Sequence, residues 1–375
     1  MPLRVMSVVG TRPEAIKMAP IIRALSADPL IRHVTVATGQ HGDLLDSMLD
    51  VFDIVPDVHL RLMRPDQAVS DVAAECIRSL SPVLREANPA LVLVQGDTAT
   101  AAFGALAAFM AGVEVGHVEA GLRAPSRWRP FPEEMFRRVV DTVAGLHFAP
   151  TEVCRRNLLG EGIGDERIVV TGNSVVDALE MMAGARAAVE LPWLRDRGQR
   201  IALLTMHRRE SFGIAMRGAL EGIREGLAHF PDVELVFPVH PNPAVRSVVG
   251  ETLRGIDRVH LIDPLPYPAL LAVLSRSVVV LTDSGGIQEE APSFGVPVIV
   301  LREETERVEG LESGLATLVG TNRAAIRDAM RAALDGAPHR RAGGNPYGDG
   351  HAAERIRSAI LAWARARSAS GATGS

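Results

Sequence analysis

Three carboxylates stand where proton transfer would need them. Asp97 lies just past the apolar run Leu91–Gln95, Glu119 ends the run Val113–Val118, and Glu133 follows Phe131–Pro132 at a helix start. Carboxylates near one another push their pKa values apart, which suits one to act as an acid and another as a base. Each also has an ordinary reading: Asp97 fits a helix N-cap, and Glu133 with Glu134 fits a first helical turn, where the macrodipole favours negative charge. Residue type alone does not separate them.

Cationic and amide-rich segments recur in similar places. Gly10–Thr11–Arg12–Pro13–Glu14 opens a helix, with Lys17 about a turn further on. Arg12 and Lys17 there suit an anion, or else a capped helix with surface charges. Asp283–Ser284–Gly285–Gly286 follows Val278–Thr282 and opens another helix. A serine with paired glycines at that point forms a nest of N–H groups for a diphosphate, and Glu290 further along can accept from ribose hydroxyls. His207–Arg208–Arg209–Glu210 follows Arg200–Thr205, so His207 can donate to a leaving diphosphate. His240, in Val239–His240–Pro241–Asn242–Pro243, holds the equivalent place after the next run.

Several chemistries lack their signatures. His117–Val118–Glu119 has the H-x-E of zinc deaminases, but no P-C-x-x-C follows and no H-E-x-x-H occurs, so no metal site is expected. G-x-G-x-x-G and Walker A patterns are missing, so neither NAD nor ATP is expected, nor any other cofactor. Without a D-x-D pattern, charge on a sugar-nucleotide diphosphate falls to Arg, Lys, His and N–H groups. D-S-G-G also surrounds the nucleophile of chymotrypsin-like proteases, but that reading needs antiparallel barrels.

The surroundings are instead alternating strands and helices. Strands are expected over Arg4–Val9, His33–Ala37, Leu91–Gln95, Val113–Val118, Leu146–Ala149 and Arg167–Val170. A second series covers Arg200–Thr205, Val233–Val239, Val259–Ile262, Val278–Thr282 and Val296–Leu301. Continuous apolar runs between helical patterns indicate parallel sheets covered on both faces. The series pauses near Thr171–Gly172–Asn173, which predicts two doubly wound α/β domains. These are an N-terminal domain over 1–172 and a C-terminal domain over 173–350, followed by a helix over 351–367 and a disordered tail over 368–375. Open parallel sheets bind ligands beyond their strand ends, where the segments above fall.

The 375 residues, 47% hydrophobic and 23% charged, suit two globular domains. A net charge of −5 offers no basic excess for nucleic acid. Cys76 and Cys154 are too few for a disulfide framework and fit a reduced, cytoplasmic setting. The apolar stretch Ala101–Val113 is too short to cross a bilayer, and the strand-like Leu3–Val9 shows no leader pattern, so no membrane partner is expected.

Taken in order, GTRPEAIKMAP (Gly10–Pro20), QGDTAT (Gln95–Thr100), GHVEAGLR (Gly116–Arg123), PEE (Pro132–Glu134), HRRESFG (His207–Gly213), PVHPNP (Pro238–Pro243), LTDSGGIQEEAPSFGVPV (Leu281–Val298), TER (Thr305–Arg307) and NPYGDG (Asn345–Gly350) span nearly the whole chain. This set resembles the non-hydrolysing UDP-N-acetylglucosamine 2-epimerases. The resemblance implies two Rossmann-like domains facing a cleft, as in B-type glycosyltransferases, with the helix over 351–367 packing back on the first and the second binding UDP, and a homodimer acting on a UDP-sugar. It implies Asp97, Glu119 and Glu133 as acid/base groups and His207 at the leaving phosphate. Arg12 and Lys17 would lie by the diphosphate, with Arg123, His240 and Arg307 in the substrate region. Ser284, Gly285 and Gly286 would bind phosphate and Glu290 ribose. Gln40–His41 matches a stretch linked to allosteric activation by a second substrate molecule. Phe136, Val308 and Gly42 depart from the residues common in the family. The implied reaction inverts C2 of UDP-N-acetylglucosamine through loss and re-addition of UDP. A hydrolysing epimerase and a glycosyltransferase of the same fold are the alternatives.

Overall fold

The computed structural model describes residues 2–40, 42–64, 67–191, 198–208, 213–335 and 344–372. The chain forms two compact units, one comprising Met1–Met181 with Tyr347–Ser375 and the other Met182–Pro346.

The first unit is built on a parallel sheet of β1 (Leu3–Val9), β2 (Ile31–Ala37), β3 (Val58–His59), β4 (Leu91–Gln95), β5 (Glu114–Val118), β6 (Leu146–Ala149) and β7 (Ile168–Val170), in the order β3-β2-β1-β4-β5-β6-β7. Every residue of β4 is buried, as a central strand covered on both faces requires. Its core joins Met6, Val8, Val92 and Val94 to the alanine-rich helix Ala99–Met110. Small side chains let that helix lie close to the sheet. Gly10 is needed for a similar reason, since a Cβ there would run into the hydroxyls of Thr38 and Thr100.

The second unit carries β8 (Arg200–Thr205), β9 (Val233–Pro238), β10 (Val259–Ile262), β11 (Ser277–Thr282), β12 (Val298–Val300) and β13 (Ala316–Leu318), all parallel, in the order β10-β9-β8-β11-β12-β13. Leu204, Leu235, Phe237, Val279 and Leu281 fill its core with Leu220, Ile223 and Met330 from the covering helices.

Three boundaries differ from those expected. The first unit runs to Met181 rather than 172, because the helix Ser174–Met181 buries Val175, Ala178 and Leu179 within it. The chain re-enters that unit at Tyr347 rather than 351: Asn173 N donates to Tyr347 O at 2.8 Å. The last helix spans Ala352–Ala372, so residues 368–372 are helical rather than a disordered tail. Asp177 caps this helix, accepting from Ala352 N at 3.2 Å and Ala353 N at 2.9 Å.

Candidate active site

In the first unit the strand order reverses between β1 and β4, the point at which open parallel sheets take ligands. The chain leaves β1 into a capping box: Glu14 Oε2 accepts from Gly10 N and Thr11 N at 2.7 Å each, and Thr11 Oγ1 accepts from Glu14 N at 3.4 Å. The other Glu14 oxygen accepts from Thr98 Oγ1, so one carboxyl ties the β1 turn to the β4 turn. Burial pushes Glu14 up to about 7, against the opposing pull of Thr98, Gly10 and Thr11. A carboxyl raised on folding favours the native state while protonated, so stability falls as pH rises from 4.5 to about 7 and the loss is complete above that. Urea unfolding across that window should show Glu14→Gln removing a slope worth about 3 kcal/mol. Parallel profiles for the two proteins would refute the assignment.

The chain leaves β4 through Gly96, whose φ of 70° is left-handed, and Asp97 follows. Asp97 is not the helix N-cap. Thr98 takes that place, accepting from Ala101 N at 3.1 Å, and Asp97 Oδ2 instead accepts from Arg137 Nε at 3.1 Å and from Arg137 Nη2. Arg137 is only 2% exposed and also donates to Glu134 Oε2 at 3.1 Å. Glu134 further accepts from Ala124 N at 3.0 Å and Arg138 Nε at 2.7 Å. Glu133 opens the same helix, Glu133–Val143.

Glu119 leaves β5 with φ of 68°, an unusual backbone for a residue with a Cβ and of the kind that gathers at functional sites. Its N–H donates to Phe148 O at 3.0 Å, and its buried carboxylate accepts from Gln95 Nε2 at 2.7 Å and pairs with Lys17. Lys17, expected beside a diphosphate, has its ammonium on Glu119.

Arg123, expected in the substrate region, is held by carboxylates. It pairs with Glu161 through two N–H groups and with Asp141 at 2.8 Å, and these carboxylates raise its pKa against the opposing effect of burial. Gln40 Oε1 accepts from Thr100 N at 3.1 Å and Thr100 Oγ1 at 2.8 Å, which ties it to the start of the helix Ala99–Met110. His41 lies outside the described residues. Arg12 is the first residue of the helix Arg12–Ser26 and is partly exposed.

In the second unit the order reverses between β8 and β11. Asp283, fully buried, joins their ends: it accepts from His207 N at 2.9 and 3.2 Å, from Arg208 N at 2.9 Å, and faces His207 Nδ1 at 3.2 Å. Burial alone would raise this carboxyl, but His207 and the two N–H groups outweigh it and hold it below the usual range. His240, at the end of β9, is close enough to feel both. Burial lowers its pKa, His207 lowers it further and Asp283 opposes. Arg209 and Glu210 lie outside the described residues.

Ser284 caps the short helix Gly285–Glu290, and its own N–H is turned back on Thr282 Oγ1 at 2.9 Å. Arg307 covers Gly285, where a Cβ would meet its guanidinium carbon at 3.1 Å, and is held by Glu289 at 2.9 Å and by Glu306. Glu306 also accepts from Arg302 Nη1 at 3.0 Å. Burial lowers the pKa of Arg302 despite Glu306, with Arg208 and Arg307 as like-charged neighbours. Glu290 accepts from Tyr267 Oη at 3.0 Å, and Gly286 lies beside Ser284. Arg302 was missed by sequence reasoning although it directly follows the expected run Val296–Leu301, where the strand-end rule would have found it. Arg137 and Asp141 lie inside a helix, and no local signal marks them.

Thus the first unit gathers carboxylates, and the second gathers histidines, arginines and a glycine-rich helix start. Among the described residues no group of three or more His, Cys, Asp and Glu could hold a metal, and no helix is long and apolar enough to cross a membrane. The family model for UDP-N-acetylglucosamine 2-epimerase matches residues 23–361. The chain belongs to the UDP-N-acetylglucosamine 2-epimerase family. It is 43% identical to the UDP-N-acetylglucosamine 2-epimerase of Yersinia pestis over 371 residues, 96% of this chain and 98% of that one. It also shares 43% identity and a TM-score of 0.92 with a solved structure from Listeria monocytogenes, over 96% of each chain. The UDP-GlcNAc 2-epimerase of Neisseria meningitidis, solved bound to UDP-GlcNAc, is 39% identical with a TM-score of 0.91, over 96% of this chain and all of that one. The two left-handed turns carrying Asp97 and Glu119 therefore sit in an epimerase-family fold.

Proposed function

We propose that this protein interconverts UDP-N-acetylglucosamine and UDP-N-acetylmannosamine by eliminating UDP to 2-acetamidoglucal and adding it back, in the cytoplasm as a homodimer. The observation that carries this reading is the pair of carboxylates on adjacent turns. Glu119 is paired with Lys17 and bonded to Gln95, and Asp97 is gripped by Arg137.

The C2 proton of the sugar becomes acidic only as C1 gains positive character. The C1–O bond breaks, UDP takes its electron pair, and the C2–H pair becomes the C1=C2 double bond while a carboxylate takes the proton. Return adds a proton to C2 from the opposite face as a UDP oxygen re-forms the bond to C1. Asp97 and Glu119, with Glu133, serve as acid and base on the two faces. His207 and Arg307, with N–H groups of Gly285 and Gly286, stabilise the charge gathering on the diphosphate, and Arg12 assists. Glu290 takes the ribose and His240 lines the nucleotide region. Lys17 acts through Glu119, balancing its charge.

NMR of UDP-N-acetylglucosamine with the protein in deuterated water tests this. The expected spectrum shows deuterium at C2, the manno epimer and only traces of free UDP. Stoichiometric UDP with free N-acetylmannosamine would select the hydrolysing alternative, and no deuterium at C2 would refute the epimerase reading. A single-chain mass by light scattering would count against the dimer.

A further inference from the structure

The helix Glu133–Val143 places Glu133, Arg137 and Asp141 four residues apart, on one face. Arg137 holds the Asp97 side chain. Asp141, a turn further on, reaches the same turn by another route. Its Oδ1 bonds to His117 Nδ1 at 2.5 Å, and His117 Nε2 bonds to Gly96 O at 2.8 Å. The imidazole thus lies between a carboxylate and a carbonyl oxygen, one on each ring nitrogen. His117 is completely buried, and Asp141 is 2% exposed.

The other Asp141 oxygen serves the neighbouring loop, accepting from Gly121 N at 3.3 Å and pairing with Arg123 at 2.8 Å. Gly96 is thus gripped at both polar groups from β5, since its N–H donates to Val118 O at 3.0 Å. No Cβ clash forces glycine at Gly96; its left-handed backbone does, and hydrogen bonds must hold that conformation. The H-x-E signature that would suggest zinc therefore has a different use, because His117 is committed at both nitrogens to protein acceptors.

We propose that His117 and Asp141 form a positioning pair for epimerisation, setting the backbone of the Asp97 turn through the Gly96 carbonyl and of the Glu119 loop through the Gly121 N–H. The proposal rests on the epimerase reading above. His117 touches no reacting atom; it acts through the groups it orients.

Two substitutions divide the two ring nitrogens. In His117→Gln the amide can imitate Nε2 and reach Gly96 O; in His117→Asn it imitates Nδ1 and reaches only Asp141. For His117→Asn, kcat should fall about 10²-fold with KM for UDP-N-acetylglucosamine little changed, because misplacement of a catalytic group costs that order of rate. His117→Gln should recover most of the loss. Backbone hydrogen exchange of the intact protein supplies a readout independent of turnover: amides over 96–98 should exchange faster in His117→Asn and near the normal rate in His117→Gln. Equal kinetics for the two variants, a KM that rises in step with the fall in kcat, or unchanged exchange over 96–98 would overturn the positioning role. Faster exchange over 96–98 in a protein whose natural form puts no deuterium into C2 would instead sink the epimerase reading and leave the pair's hold on the turn intact.

Discussion

Glu119→Gln is expected to cut epimerisation about 10³-fold, the order that a positioned acid or base contributes, while UDP binding stays close to normal. The change keeps the side-chain volume and a hydrogen-bond acceptor for Lys17 but removes the charge. Lys17 and Glu119 are 7% and 8% exposed, so loss of one charge leaves the other poorly compensated, and stability should drop by about 3 kcal/mol. Lys17→Met with Glu119→Gln separates the two effects. Replacing the whole pair by neutral groups should restore most of the stability and none of the turnover. Deuterium incorporation at C2 by NMR, UDP titration calorimetry and urea unfolding read the three quantities. A single variant that retains exchange within tenfold of the natural protein would remove Glu119 from the proton-transfer step.

The second large effect belongs to Arg137→Met. Arg137 bonds to Asp97 and to the fully buried Glu134, so its loss strands a carboxylate in the interior. Breaking a buried pair by removing one partner costs about 3–5 kcal/mol. Arg138 still bonds to Glu134 at 2.7 Å, which places the expected loss toward the lower end of that range. Asp97 also loses the fork that orients it, and kcat should fall about 10²-fold even where the variant is fully folded. The midpoint of urea unfolding and single-turnover rates at low temperature measure these separately. A well-folded variant with normal turnover would mean that Asp97 is placed by its backbone alone.

Much of this was legible in the sequence because strand ends are. Leu91–Gln95, Leu146–Ala149, Arg200–Thr205 and Val259–Ile262 coincide with strands as expected, since short, largely apolar runs between helical patterns leave little ambiguity. The strands Val58–His59 and Ala316–Leu318 were missed: two or three residues at a sheet edge carry no periodicity. The helices Ser174–Met181 and Ala183–Ala187 are parted at Met182, where the chain changes units, a tertiary event without a local signal. The same limit applies within the site. Asp97, Glu119, His207 and Ser284 stand out because they follow apolar runs. Which cation each carboxylate meets was not readable, because Lys17 and Glu119 are 102 residues apart. Arg123 looked available from its motif, yet Glu161 and Asp141 claim it from a separate helix and a long separation.

Because the final helix, Ala352–Ala372, belongs with Met1–Met181, the second unit is in effect an insertion within the first. During synthesis Met182–Pro346 is complete before Ile356 and Ile360, which are buried in the first unit, have emerged, so the earlier-made half waits for the later one to finish. Removing the chain from Ala352 onward, and with it the buried Ile356 and Ile360, would harm the carboxylate-bearing half and spare the half that carries His207 and Ser284.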